Sequence, residues 1–460
     1  MLHPRSFLPF LFLALLFQIA LVKAEQRPDI QIEITRGNDT PVRVAVVPFE
    51  WRERKALAED PASIVVNDLK FSGRIETLPA AQMLSLPHNR EQVFYRDWKL
   101  VKADFLVIGR LYIHQAQEGK RNLRLRYEMF NIPEEKLIFS HEIEGEEVDL
   151  RDMAHHVSDQ IFYAITRIPG VFSTQIMYIT AVGPFQNKRY SLTIADADGH
   201  RPSTLFSSYE PIMSPAWAPD GKKVAYVSYE RNSKPAIYLH HLDTGRKEQL
   251  TNYPGLNGAP SFSPDGRYLA FVLSKGGNPD IYTLELETRV LRRITRNREI
   301  DTEPDWTSDG KSLIFTSNRG AQPQIYMIEL ESLSVERLTY EGDYNARGRM
   351  LPDGSGLIMV HRKNGIFHIS LLDLERRRLR DLTETSLDES PSIAPNGNML
   401  IYATKEGDRE ILAAVDVDAR VRFNLPSVSG DIREPAWSRH KRREFSLISE
   451  ELSSDPFVRQ

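Results

Sequence analysis

Residues that could bind a metal ion or transfer a proton occur in this chain, but their spacing defines no clear site. His155-His156 and His240-His241 are two pairs of adjacent histidines. Neighbouring side chains on a helix or a strand point in different directions, so neither pair can chelate a metal ion by itself. We therefore predict that these histidines are structural and lie on polar or partly buried faces.

One acidic pair, Asp388-Glu389, lies on a predicted loop. Its oxygens could bind a cation, but a solvated carboxylate or a contact with a partner protein is the favoured interpretation. The chain has no cysteine, which excludes disulfides, thiol nucleophiles and cysteine-bound metal. It also lacks the Gly-x-Ser-x-Gly and Gly-x-Gly-x-x-Gly patterns of serine hydrolases and dinucleotide-binding proteins. The sequence therefore predicts no metal, no cofactor and no catalytic residue.

Composition is ordinary for a protein with soluble globular domains. The chain has 460 residues, a formal net charge of −4, 41% hydrophobic residues and 27% charged residues. This length allows two or three domains. A small negative charge and the absence of long lysine or arginine runs argue against binding to nucleic acid or to a membrane surface.

The first residues predict an exported protein. Arg5 supplies a positive charge, and a mostly apolar run follows over residues 7–22. Val22-Lys23-Ala24 then places small residues at positions −3 and −1, which signal peptidase recognises. Cleavage is therefore predicted after Ala24. A membrane anchor is the alternative, but this run of about 16 residues is shorter than the roughly 20 that a membrane span needs.

A turn between two short strands organises the second half of the chain. In Ser263-Pro-Asp-Gly, the proline presets φ, Asp265 can bond its own backbone and Gly266 can take a positive φ. Residues 267–272 are rich in aromatic and aliphatic side chains, which predicts a strand. Asp265 and its equivalents are therefore predicted to be turn residues and not catalytic acids.

This turn pattern recurs at nearly constant intervals. Its copies begin at residues 215, 260, 304, 348, 391 and 435. A period of about 44 residues, with strand, turn and strand in each unit, predicts a β-propeller of WD40-like (PD40) repeats. Residues 175–207 supply strands that lack an inner strand, and Pro435-Ala-Trp-Ser can supply it. Such a composite blade would close six blades into a ring without open sheet edges.

An α/β domain is predicted before the propeller. Strands are predicted over residues 30–34, 42–49 and 104–114, a hairpin over 122–132 and 136–143, and helices over 61–71 and 148–168. The predicted organisation is a signal peptide over 1–24, the α/β domain over 25–168, the propeller over 171–438 and a polar tail over 439–460.

Surface loops remain as the candidate site. In a propeller, the loops that lead into the innermost strands gather at one mouth of the central channel. These loops include residues 212–214, 257–259, 301–303, 344–347, 387–390 and 432–434. They combine both signs of charge with small residues and exposed backbone, which is typical of surfaces that bind a protein or a peptide loop.

The motifs and their order resemble a known family. Val46-Val-Pro-Phe lies in the α/β domain, and Asn257-Gly-Ala-Pro, Thr302-Glu-Pro-Asp-Trp and Leu387-Asp-Glu-Ser-Pro lie in the repeats. With the predicted signal peptide, this order closely resembles the TolB family, the periplasmic component of the Tol–Pal system of Gram-negative bacteria. The resemblance covers nearly all of residues 25–438.

The resemblance implies a periplasmic, non-enzymatic adaptor that supports outer-membrane invagination during cell division and envelope integrity. It implies binding of the peptidoglycan-associated lipoprotein Pal at the propeller mouth and of TolA through the mature N-terminus, and it allows contacts with other outer-membrane proteins. By motif, Pal would contact Asn257, Gly258, Ala259, Thr302, Glu303, Asp388 and Glu389. TolA would contact the segment that contains Glu25, Gln26, Ile30, Ile32 and Ile34.

Two other functions fit the same sequence less well. One is a periplasmic hydrolase or lyase that uses the propeller channel, which would require an acid and a base converging on one space. The other is a structural envelope protein without a defined partner. No small-molecule substrate is predicted.

Overall fold

The computed structural model describes residues 32–34, 41–117, 120–231, 233–385, 387–426 and 430–448. The predicted signal peptide and the residues Glu25, Gln26 and Ile30 lie outside these ranges. Within the described part of the chain, no helix has both the length and the apolar character that crossing a membrane demands.

The N-terminal part is an α/β domain. Its strands are β2 (Val42–Val46), β3 (Glu50–Trp51), β4 (Ile75–Thr77), β5 (Phe105–Gln117), β6 (Lys120–Asn131) and β7 (Lys136–Glu146), and its helices are α1 (Pro61–Phe71), α2 (Tyr95–Leu100) and α3 (Leu150–Thr166). The sheet order is β4-β2-β5-β6-β7, with β3 beside β5. Pairing is parallel on either side of β2 and antiparallel from β5 to β7.

Helix α1 has the boundaries that the sequence predicts. Asp60 precedes it and accepts a hydrogen bond from the backbone N–H of Ala62, and Pro61 occupies the first turn, where its missing N–H costs nothing. The predicted helix over 148–168 is shorter as α3, because a 3₁₀ turn over Glu147–Asp149 precedes it. The sequence analysis missed α2 and β4, which are too short for a clear periodicity.

The second part is a six-bladed propeller. Blade 1 contains β31 (Asp431–Lys441), β8 (Thr174–Val182), β9 (Arg189–Asp196) and β10 (Ser203–Ser208), from the inside outwards. Blade 2 contains β11 (Ile212–Trp217), β12 (Lys223–Ser228), β13 (Ala236–His241) and β14 (Lys247–Gln249). Blade 3 contains β15 (Asn257–Phe262), β16 (Tyr268–Leu273), β17 (Asp280–Glu285) and β18 (Leu291–Arg293).

The remaining blades repeat this arrangement. Blade 4 contains β19 (Asp301–Trp306), β20 (Ser312–Ser317), β21 (Gln324–Glu329) and β22 (Val335–Arg337). Blade 5 contains β23 (Asn345–Met350), β24 (Gly356–Lys363), β25 (Ile366–Asp373) and β26 (Arg378–Asp381). Blade 6 contains β27 (Glu389–Ile393), β28 (Met399–Glu406), β29 (Arg409–Asp416) and β30 (Val421–Asn424), and β1 (Ile32–Ile34) adds a fifth strand outside β30.

The Asp-Gly turns have the predicted structural role. Asp265 accepts hydrogen bonds from the hydroxyl of Ser263 and the backbone N–H of Arg267, and Gly266 has φ of +71°. A carboxylate that satisfies its own turn in this way stabilises the reversal between the first two strands of a blade.

Blade 1 closes the ring as the sequence predicts. Strand β31 pairs antiparallel with β8, so the end of the propeller sequence supplies the inner strand of the blade that begins it. Buried Trp437 fixes this contact: its indole N–H donates to the hydroxyl of Thr174 over 2.8 Å, and its backbone N–H donates to Ser392 of blade 6. The strand continues to Lys441, three residues beyond the predicted boundary at Ser438.

The residues after β31 return to the α/β domain. The backbone N–H of Ile448 donates to the carbonyl of Glu142 on β7 over 2.8 Å, and Phe445 packs against His156 of α3. Residues 443–448 follow an irregular path without helical or strand structure.

The two domains share one hydrophobic core and one buried ionic cluster. Val421 and Phe423 of blade 6 pack in the same core as Phe71 of α1. In the cluster, His155 of α3 lies 2.8 Å from a carboxylate oxygen of Asp68 and 3.8 Å from one of Asp196 in blade 1. His155 is fully buried in this cluster and does not lie on the polar or partly buried face that the sequence predicts.

The same cluster has the outline of a cation site. Asp68, His155 and Asp198 offer ligand atoms that lie within 4.8 Å of one another. The guanidinium of Arg151 already contacts Asp196 and Asp198, and His155 already contacts Asp68. These carboxylates have cationic partners from the chain itself, so the cluster is better described as an ionic joint between the domains.

Loss of the closing tryptophan should unfold the protein more readily. Trp437→Ala is expected to lower the free energy of unfolding by about 3–5 kcal/mol, because it leaves a cavity and removes the hydrogen bond to Thr174. Denaturant titration followed by circular dichroism measures this change. Leu447→Ala, at an exposed side chain, is the control and should change stability by less than about 0.5 kcal/mol. Equal stability of the two variants would contradict the closure described here.

The ionic joint should make stability fall at alkaline pH. Burial alone would lower the pKa of His155, but the carboxylates of Asp68 and Asp196 outweigh it and raise this pKa to about 10. A raised pKa in the folded state stabilises the fold fully below pH about 6.5, and this contribution is lost as pH rises towards 10. His155→Gln should therefore lower the melting temperature at pH 7 and flatten its decline from pH 7 to 10.

The matched control for this pH experiment is His241→Gln, at the partly exposed end of β13. It should keep the wild-type slope of melting temperature against pH. Parallel slopes for His155→Gln and wild type would rule out a proton held in the joint.

Candidate binding site at the propeller mouth

Two sets of loops form one face of the propeller around the channel. The loops that lead into the inner strands lie beside the loops between the second and third strands of each blade. The pairing shows this directly: Asn257, the first residue of β15, pairs with Leu273, the last residue of β16. The backbone of Leu256 also exchanges hydrogen bonds with Ser274 in the adjacent loop. We call this face the mouth face and the opposite one the far face.

Each inner strand has a bulge next to the mouth. The register between the first and second strands shifts at the same place in all six blades. At each bulge a non-glycine residue adopts a positive φ of 48–55°, which L-residues rarely do. These six residues form a ring, one per blade: Ser214, Ala259, Glu303, Arg347, Ser390 and Glu434. Bulges of this kind redirect side chains, here into the channel.

The ring residues line a channel with a volume of about 320 Å³. Its other lining residues come from the rest of the inner strands and from the turns that follow them, and include Trp217, Trp306 and Trp437. The indole N–H groups of Trp217 and Trp306 donate to backbone carbonyls of the preceding blade. The channel wall is therefore held rigid by hydrogen bonds between neighbouring blades.

Charged members of the ring are bonded to one another across blades. The guanidinium of Arg347 in blade 5 contacts the carboxylate of Glu303 in blade 4 at 2.9 Å and the hydroxyl of Ser390 in blade 6. Glu303 also accepts hydrogen bonds from the Thr316 hydroxyl and from the backbone N–H of Arg347. Glu303 is thus part of the wall of the mouth as well as of its surface.

The opposite side of the ring carries a carboxylate with a different environment. Glu434 accepts a hydrogen bond from the backbone N–H of Ser214. Burial raises its pKa, against the opposing effects of Arg347 and that N–H. Burial would lower the pKa of Arg347, but Glu303, Glu434 and Glu389 outweigh it and raise that pKa. The mouth therefore holds a permanent cation surrounded by three carboxylates.

A second repeated position holds buried polar residues that bond to the mouth loops. The residue two places before each ring residue is polar and fully buried in blades 3 to 6: Asn257, Asp301, Asn345 and Asp388. Asn257 donates to the carbonyls of Tyr253 and Gly255 in its own loop. Asp301 pairs with Arg319 at 2.8 Å. Buried polar groups satisfied in this way fix the loop conformation.

This position explains which predicted contact residues reach the surface. Asn257, Gly258 and Asp388 are buried, whereas Ala259, Thr302, Glu303 and Glu389 are partly exposed at the mouth. Asp388 accepts hydrogen bonds from Thr383, Thr385 and Thr404 and so does not form an open acidic pair with Glu389. A motif match cannot separate the two groups, because neighbouring residues of one motif, such as Asp388 and Glu389, differ in burial.

The mouth also carries residues that the sequence analysis did not single out. Exposed apolar side chains occur in several loops that lead into the inner strands, among them Tyr209, Leu256 and Tyr340. Their loops were recognised from the repeat, but no periodicity marks an exposed loop residue.

The N-terminal segment has a partner strand in the propeller. Its strand prediction over 30–34 is confirmed for Ile32–Ile34, but this strand joins blade 6 and not the α/β sheet. It pairs antiparallel with β30, with Ile32 opposite Phe423 and Ile34 opposite Val421. The backbone of the segment thus occupies the outer edge of a blade whose inner strand reaches the mouth.

Comparisons with known proteins agree with this architecture. Family models match the TolB amino-terminal domain over residues 30–138 and the TolB beta propeller domain over residues 162–441. The Tol-Pal system protein TolB of Alcanivorax borkumensis is 53% identical over 425 residues, which are 92% of this chain and 96% of the relative. The corresponding protein of Pseudomonas aeruginosa is 46% identical over 92% of this chain and 97% of the relative.

A solved structure shows the same fold. The crystal structure of TolB from Acinetobacter baumannii has a TM-score of 0.80 and 41% identity, and the match covers 89% of this chain and 100% of that chain. Both domains and their order are therefore shared with these relatives. The chain belongs to the TolB family of Tol-Pal system proteins.

Proposed function

We propose that this chain is a non-enzymatic periplasmic adaptor of the Tol–Pal system. It is exported by a signal peptide that is cleaved after Ala24, and it binds the lipoprotein Pal at the propeller mouth and TolA through residues 25–34. In this role it supports outer-membrane invagination during cell division and the integrity of the envelope. Membership of the TolB family supports the assignment to this system.

The main structural support for this proposal is the rigid, preformed surface at the mouth. Six bulged strands direct ring side chains into one channel, and buried polar residues hold the loops above it in a fixed shape. A preformed surface loses little conformational entropy when a partner binds. Among the described residues, the charged ring residues bond to other ring residues: Arg347 pairs with Glu303, and Glu434 accepts from the backbone N–H of Ser214, which suits recognition by hydrogen bonds and shape.

Within the mouth, we assign the Pal contact to the partly exposed residues Ala259, Thr302, Glu303 and Glu389. The buried residues Asn257, Gly258 and Asp388 act indirectly by shaping the loops that present these contacts. This division predicts that substitutions at the exposed positions weaken binding without unfolding the propeller.

The TolA contact is assigned to the backbone of the N-terminal segment. Strand β1 shows that this segment can add to the edge of a sheet, since it already pairs with β30. Strand addition uses main-chain hydrogen bonds, and it is a common way for an extended segment to bind a protein. The same segment would pair with TolA when it leaves blade 6.

Obstructing the channel entrance should weaken Pal binding. Ala259→Arg is expected to raise the Kd for purified Pal at least tenfold, because a long cation then occupies the channel entrance. The backbone should accept the change, since Arg347 occupies the equivalent position of blade 5 with φ of +53°. Isothermal titration calorimetry measures the affinity, and thermal melts verify the fold.

The control for the channel variant is Thr288→Arg, on an exposed far-face loop between β17 and β18. It introduces the same side chain and should leave the Kd unchanged. If folded wild-type protein does not bind Pal, this result contradicts the proposed function. Loss of binding in both variants would instead show that the added charge, and not its position, is responsible.

Removing the N-terminal segment should affect binding of TolA but not binding of Pal. A mature chain that lacks residues 25–34 is expected to lose binding to purified TolA, since the strand-forming backbone is absent. It should retain its affinity for Pal, which serves as the internal control for folding. Undiminished TolA binding by this truncated chain would refute the assignment.

A further inference from the structure

Two histidines lie directly opposite each other on neighbouring strands of blade 5. His361 of β24 pairs with His368 of β25 in the antiparallel register. Side chains at such positions point to the same side of the sheet, and their Cβ atoms lie about 4.5–5.5 Å apart. Two imidazoles at this spacing can bind one metal ion, which the adjacent histidine pairs of the sequence cannot do.

A buried hydrogen-bond network fixes the orientation of the His361 ring. The side-chain amide of Asn345 donates to the carbonyl of Glu341 over 2.8 Å and to Gln324 over 2.9 Å. The amide oxygen of Asn345 therefore faces Nδ1 of His361, 2.8 Å away. Because that oxygen can only accept, Nδ1 carries the proton of the neutral ring. The lone pair then lies on Nε2, as in histidines that bind a metal ion through one nitrogen and donate through the other.

Nε2 of His361 lies at the wall of a cavity beside the mouth-face loops of blade 5. His361 is only 4% exposed, and it lines a space of about 470 Å³. Among the described residues, this Nε2 has no hydrogen-bond partner. Burial lowers the pKa of His361, against the opposing effects of Asp381 and Glu341, so the ring is neutral at pH 7. In His368, Nδ1 is buried and also has no hydrogen-bond partner within the described part of the chain.

The charged residues that line this cavity are largely paired. The ammonium group of Lys363 lies 2.7 Å from the carboxylate of Asp381, and the guanidinium of Arg362 lies 2.8 Å from that of Asp343. The guanidinium of Arg380 turns away from the cavity and donates to a backbone carbonyl of blade 6. These groups leave one carboxylate of the cavity, that of Glu341, without an ion pair in the described ranges.

Glu341 is placed to become a third ligand. Its side chain is exposed, and the backbone next to it packs on the His361 ring: a Cβ at Gly342 would lie 2.4 Å from Cε1 of the imidazole. Within the described residues, three donor atoms within 4.8 Å of one another occur in the ionic joint and not here. Rotation of the Glu341 side chain must therefore complete the set, and an exposed side chain changes rotamer easily.

We propose that His361, His368 and Glu341 form a binding site for Zn²⁺. Two imidazoles and one carboxylate are ligands that this ion accepts, and water can complete a tetrahedral set. A bound ion would hold the loop that leads into β23 against the hairpin of β24 and β25. The site is independent of the proposed function, since none of the ring residues takes part in it.

Isothermal titration calorimetry of the metal-free mature protein with zinc chloride tests this site. His368→Gln and Glu341→Gln should each raise the Kd for Zn²⁺ at least tenfold, since even groups that only orient a metal ligand contribute about 10–100-fold. His361 itself is not substituted, because its loss would also disturb the network around Asn345. His241→Gln and Glu331→Gln remove the same chemical groups elsewhere and should bind like wild type.

A second readout uses Co²⁺ in place of Zn²⁺. Four-coordinate Co²⁺ absorbs strongly in the visible range, so these bands should appear in wild type and in His241→Gln and be absent from His368→Gln. Circular dichroism and thermal melts of the metal-free variants verify the fold. If wild type does not bind Zn²⁺, or if His368→Gln and Glu341→Gln both bind it with the wild-type Kd, the inference is overturned. Weaker binding by these two variants, with both controls unchanged, supports the site.

Discussion

Closure of the propeller ring is the constraint on which the rest of the structure depends. An open ring would expose the edge of β8 on one side and leave β31 unpaired on the other, and unpaired edges invite aggregation. The closing strand carries Glu434 into the ring of channel residues, so the same strand closes the propeller and forms part of the mouth. After closure the chain continues to β7, which fastens the propeller to the α/β domain.

Buried polar residues fix the conformation of the mouth loops. Asn257, Asp301, Asn345 and Asp388 are fully buried at one repeated position, and each satisfies its polar atoms within the adjoining loops or strands. An unsatisfied group at such a depth would cost about 1–3 kcal/mol, so the loops have little freedom to adopt another shape. The exposed residues above these anchors are then presented as a fixed surface. The family motifs Asn257-Gly-Ala-Pro and Leu387-Asp-Glu contain both anchors and surface residues.

Much of the fold follows from local patterns in the sequence. The turn at Ser263-Pro-Asp-Gly and its copies give the blade period, and the missing inner strand of the first blade predicts the closure by Trp437 and its neighbours. Helix α1 is marked by Asp60, Pro61 and its apolar spacing. These features are predictable because each depends on residues close together in the chain.

Features that depend on distant residues were not predictable in the same way. The ionic joint unites Asp68, His155 and Asp196, which are far apart in sequence, and no spacing rule connects them. Strand β1 pairs with β30, almost four hundred residues later, although its alternating pattern fits any sheet edge equally well. Likewise, burial of Asp388 and exposure of Leu256 are decided by the bulge and by the loops around it.

The mouth face is the proposed Pal-binding surface. Hydrogen–deuterium exchange of the mature protein, with and without saturating Pal, measures it across the whole chain. Slower exchange is expected in the mouth loops around residues 209–213, 251–259, 296–303, 339–347 and 387–390, and unchanged exchange in the far-face loops around 286–290 and 330–334. Protection confined to the far face, or no protection at the mouth under saturating Pal, would contradict it.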